Sequence, residues 1–105
     1  MAPEDPTGGG KSLNERIATC PIHQWVNVED YLRRAQVPER LFAVFHELVL
    51  ARGEAGRNPT DEQAQRFGKA AVEIINRHKV TPLEAQSLRI MLMQLVDQWV
   101  AAKPH

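Results

Sequence analysis

The chain has 105 residues, which is one domain's worth. Thirteen Lys and Arg balance thirteen Asp and Glu, so the formal charge is zero, where a dedicated nucleic-acid binder normally carries a basic excess. A hydrophobic share of 43% and a charged share of 25% are ordinary for a globular domain, and the single Cys excludes an intrachain disulfide framework.

No run approaches the roughly 18 apolar residues of a membrane span. The opening MAPEDPTGGGK has no basic region followed by an apolar core, so a signal peptide is not expected and the expected compartment is the cytoplasm. Residues 1–11 hold three Gly and two Pro, too little apolar surface to offset the entropy of ordering them. They read as a disordered tail ahead of a single domain over 12–105. Gly10-Lys11-Ser12 matches only the end of a phosphate-binding loop and lacks the strand and the glycine spacing that such a loop needs.

Helix signals follow in order. Ser12 and Glu15 fit a capping box for a short helix that Pro21 stops. Asn27 is placed to cap a second short helix over 28–36, with Glu29 and Asp30 near its positive end. Pro38 suits the first turn of a helix over 38–52, where Leu41, Phe42, Val44, Phe45, Leu48 and Val49 share one stripe and Gly53 is the expected left-handed stop. Thr60 and Gln63 form a second capping box, for a helix over 61–78 with Ala64, Phe67, Ala71, Ile74 and Ile75 on one side. Gly68, beside that stripe, is a candidate for close helix approach. Thr81-Pro82-Leu83-Glu84 is a third box, opening a helix over 82–101. No segment alternates as a strand does. The expected class is all-α: a small antiparallel helical bundle of two or three long helices with short N-terminal helices.

The last helix has more apolar surface than one core face uses. Leu88, Met91, Leu92, Leu95, Val96 and Trp99 cover an arc of about 140°, enough for a core stripe. Met93 and Val100 lie together on one flank, and Ile90 stands among Gln86, Gln94 and Asp97. Either neighbours pack this helix on two sides or one flank meets another chain. A small body has little material to surround a helix, and spare apolar surface often marks a partner site. Leu50 likewise falls near Ala43, off its helix's main stripe. The interface candidates are therefore Leu50, Ile90, Met93 and Val100, with Arg89 as a directional contact. Trp25 and Tyr31 either staple the short helices to the long ones or add aromatic contacts at the interface.

Chemistry is sparse. Cys20-Pro21-Ile22-His23 has the spacing of half a zinc site, but His46, His78 and His105 supply no second pair. His46 falls off its helix's main stripe and reads as solvent-facing. A Cys20–His23 nucleophilic pair has no hydrolase signature around it, and a Cys beside Pro also serves as a small buried hydrophobe. No nucleophile, base and charge stabiliser can be assembled, so neither catalysis nor a cofactor is expected. The alternative is a small DNA-binding transcriptional regulator. Helices 61–78 and 82–101 with their tight turn suggest helix-turn-helix, and Arg33, Arg34 and Arg40 could form a basic patch. The last helix, however, offers only Arg89 before Lys103 where a recognition helix presents polar and basic residues.

The Pro/Gly-rich start, the caps at Thr60 and Thr81 and the apolar final helix IMLMQLVDQWV together resemble the small helical quorum-sensing antiactivators of proteobacteria. The resemblance is one of size and helical plan over about 12–103, and no diagnostic motif carries a functional residue across. It implies a helical homodimer that binds a LuxR-type transcription factor and blocks its DNA binding, with no nucleic acid or membrane contacted directly.

Overall fold

The computed structural model describes residues 13–102. The tail read over 1–11 and the box at Ser12 lie outside them. Six α-helices and one 3-10 turn make up the fold, with no strand among the described residues: α1 (Leu13–Thr19), α2 (Pro21–Trp25), α3 (Val28–Arg34), the 3-10 turn (Glu39–Leu41), α4 (Phe42–Glu54), α5 (Asp61–Arg77) and α6 (Pro82–Ala101). The all-α bundle is as expected.

Side-chain caps fix the helix starts. Asn27 accepts the Asp30 amide at 2.9 Å at the head of α3. Thr60 accepts the Gln63 amide at 3.2 Å, and the Gln63 side chain returns to the Thr60 amide at 2.9 Å. Thr81 and Glu84 repeat the exchange with both bonds at 3.2 Å. Each box satisfies two amides that would otherwise lack a partner. Glu84 also receives Arg40, which ties the 3-10 turn to the head of α6. That guanidinium, with the Thr81 amide, holds the Glu84 carboxyl down to about 2.

Four details differ from the sequence reading. Pro21 stops α1 and also opens α2, because its fixed φ suits a first helical turn. The 38–52 helix starts later, with Pro38 extended at ψ 141 before the 3-10 turn. It also continues through Gly53 to Glu54, and the left-handed backbone falls at Gly56, with φ 89. Gly53 serves packing instead: a Cβ there would sit 2.8 Å from Cys20 Sγ. Gly68 has no atom within 4 Å of a Cβ built on it, so it permits no close approach.

Helices α3 and α5 end alike. Gln36 (φ 61) and Lys79 (φ 55) are left-handed, and the next residues reach five back, Val37 to the Leu32 carbonyl at 3.1 Å and Val80 to the Ile75 carbonyl at 3.3 Å. These are Schellman endings built without glycine.

The core gathers around α4. Val44, Phe45, Leu48, Val49 and Leu50 are buried, and α2, α3, α5 and α6 all pack against this helix. From the other elements Ile22, Val28, Leu32, Leu88, Leu92, Leu95 and Trp99 join the same cluster. Leu50, expected as a surface anchor, is 1% exposed. One turn before it, His46 stacks on His23 of α2, so the short helices cover this flank. Arg52 and Arg57 flank the Trp99 ring at 6.0 and 5.0 Å, and Arg57 donates to the Ala102 carbonyl at 2.6 Å, which fixes the end of α6.

The two helical glycines should respond oppositely in urea denaturation. Gly68→Ala removes a propensity penalty and should stabilise by up to about 1 kcal/mol. Gly53→Ala drives a methyl into Cys20 Sγ and should cost about 1–3 kcal/mol, less in a Cys20→Ala background.

Candidate protein-docking face

Helix α6 turns Ala85, Leu88, Leu92, Leu95, Val96 and Trp99 inward. What remains outward is still apolar. Met93 is 65% exposed, Ile90 48% and Val100 38%, and Leu83 is exposed as well. Arg89 is exposed between them.

Helix α5 shapes the rest of the face. It lays its apolar side on α4, with Ile74 buried and Phe67 and Ala71 packed against the core. Between α5 and α6 it leaves an open groove of about 650 Å³. Val72 and Ile75 form one wall, Ile90 and Met93 the other, with Asn76, Gln86 and Arg89 among the lining groups. The structure thus brings Arg89, Ile90 and Met93 to one site and places Val100 further along the same helix. The sequence reading did not single out Val72, which is exposed one position from Glu73 on the polar side of α5. Its signal becomes readable only once α6 is known to stand beside it.

The two aromatic candidates separate. Trp25 is exposed at the end of α2, away from the α5–α6 groove lining. Tyr31 is half-buried; its hydroxyl donates to the Met91 carbonyl at 3.2 Å and its ring stacks on Phe45 at 6.1 Å. It is a strut between α3 and α6.

The basic patch is internally neutralised. Arg33 pairs with Glu29 at 2.7 Å, Arg34 with Asp30 at 3.0 Å, and Arg40 with Glu84. The half zinc site is also spoken for. Cys20 is buried with its thiol 4.0 Å from the Val49 carbonyl, and among the described residues no three His, Cys, Asp or Glu converge as metal ligands. His46, expected in solvent, is half-buried: its Nδ1 lies 3.0 Å from His23 Nε2 and the two rings stack at 5.2 Å. The cause is α2, whose short turn covers this side of α4. His78 meets Glu47 at 2.8 Å, beside the Arg77–Glu47 pair at 3.0 Å. No helix among the described residues is long and apolar enough to cross a membrane.

The His23–His46 contact needs one ring nitrogen with a proton and one without. Burial, and then the neighbouring His46, push the His23 imidazole down to about 4, and burial lowers His46 too. The buried Nδ1 of His23 has no hydrogen-bond partner. A His held below its unfolded value binds fewer protons folded than unfolded, so stability rises with pH across that interval. Stability should be full above the ordinary histidine range near 6.5 and should fall as pH drops from there toward 4. Urea midpoints at pH 7 and pH 4.5 measure this, and His23→Gln should flatten the difference.

No protein-family model, curated protein or solved structure matches the chain.

Proposed function

We propose that the protein is a small regulator that acts by protein–protein contact, with the α5–α6 face as its docking surface. The observation that carries this reading is the exposed apolar run Ile90, Met93 and Val100 on α6 beside an open groove walled by Val72 and Ile75. Contiguous apolar surface of this kind on a small domain marks interaction sites. The groove has the form that takes an amphipathic helix, with apolar walls for its anchors and Arg89, Gln86 and Asn76 for orientation.

The mechanism is competitive masking. Apolar side chains of this face cover a surface that the partner needs for its own assembly, and affinity comes from a few buried anchors. The partner class we propose is a LuxR-type transcription factor, whose DNA binding is lost when it is sequestered. Two features support the choice: the resemblance in size and helical plan to quorum-sensing antiactivators, and the internal pairing of Arg33, Arg34 and Arg40, which leaves little free charge for phosphates.

The test is a gel shift with a LuxR-type factor on its operator. The wild-type protein should release the DNA. Met93→Glu with Val100→Glu should weaken that release by roughly tenfold or more while far-UV dichroism stays helical, since both side chains are exposed. A double variant that unfolds would make these residues core and remove the basis of the reading. Wild-type protein that shifts DNA by itself would favour a DNA-binding regulator.

A further inference from the structure

Arg89, Met93 and Asp97 are spaced four residues apart on α6, so they form a single ridge along the helix surface. Met93 stands at its middle and is the most exposed large hydrophobic residue of the groove. Opposite charges sit at equal distances on either side, about 6 Å along the axis in each direction. Among the described residues neither charge has an ion-pair partner. The other arginines of the described residues have carboxylate or carbonyl partners, whereas Arg89 has none, and Asp97 is equally without an ion pair. A ridge with a plus at one end, a minus at the other and a flexible apolar residue between them is complementary to itself when reversed.

We propose that a second copy of this chain docks on α6 about a two-fold axis beside Met93, with Arg89 of each copy against Asp97 of the other. This deepens the docking reading above by naming an occupant of the same face. When the four-residue ridges of two helices interdigitate, the ridges lie parallel and the helix axes cross at about 50°. A two-fold axis perpendicular to the ridge reverses it, which places each Arg89 beside the opposite Asp97 and the two Met93 side chains together at the centre. Ile90 and Val100 flank this contact and are covered with it. The interface is isologous and closes at two copies. Its unbranched methionine pair can adapt to fill the seam. A target that uses the same face must then displace the second copy.

Charge reversal tests the pairing without disturbing the fold, because both residues are exposed. Light scattering after size exclusion should give a dimer for the wild type. Arg89→Asp leaves acids at both ends of the ridge, and Asp97→Arg leaves bases at both ends. Each variant alone should self-associate roughly tenfold or more weakly, because like charges then face each other twice. An equimolar mixture of the two variants should recover the dimer, since every acid again meets a base. Met93→Cys should give a cross-linked dimer on mild oxidation, with buried Cys20 left out of the bridge. A wild type that stays monomeric at high micromolar concentration overturns the proposal. So does a dimer that either single reversal leaves intact, or a mixture that fails to re-form one. These measurements involve no target protein, so they separate from the gel-shift test: release of DNA by a monomeric wild type would retain the docking reading and remove the second copy.

Discussion

The enclosure of α4 is the constraint on which the rest of the structure depends. Val44, Phe45, Leu48, Val49 and Leu50 occupy most of its circumference, and burying them requires cover from several directions. α6 and α5 supply two flanks, and the short helices α2 and α3 supply the rest with Ile22, Val28 and Leu32. This explains why a domain of this size keeps helices of five and seven residues that would not hold alone. They are lids on the central helix, held by Asn27's cap, by the Gly53–Cys20 approach and by the Tyr31 hydroxyl on α6. No polar or charged residue is buried among the described residues, so orientation comes from these edge devices and from side-chain shape.

The sequence made the frame legible where one local interaction decides. Thr60, Thr81 and Asn27 cap as their neighbours predict, since each box closes within four residues. The inward stripe of α6 follows directly from helical period. Features set by a distant partner were not legible. Gly53 looks like a stop until Cys20, thirty-odd positions earlier, is seen against it. Gln36 and Lys79 take left-handed backbone without being Gly or Asn, because Val37 and Val80 pack on the core after the turn. Leu50 and His46 look outward only if α4 has one buried face, and the covering helix α2 was itself hidden behind a proline that reads as a stop. The candidate face was half legible: Ile90, Met93 and Val100 stand out as surplus on α6, whereas Val72 acquires meaning only from the groove.

The surplus on α6 and the encirclement of α4 have one origin. α5 gives its apolar side to α4, so it cannot also close over α6. Had α5 packed on α6, it would cover Ile90 and Met93 and leave bare the side of α4 that Phe67, Ala71 and Ile74 now meet. A chain with so few long helices can cover one central helix on all sides or two helices on one side each, and this one does the former. Arg52 and Arg57 around Trp99 hold the far end of α6 in place, so its outer ridge is presented on a rigid support.

The two walls of the groove are unequally moored. α6 is anchored by six buried side chains, by Arg52 and Arg57 at its Trp99 ring and by a tyrosine strut, whereas α5 buries Ile74 and lays Phe67 and Ala71 only partly covered on the core. Elements with few buried contacts yield first. On the docking proposal, the α6 wall therefore dictates the alignment of whatever enters the cleft, and the α5 wall, with fewer side chains sunk into the core, sets its gape.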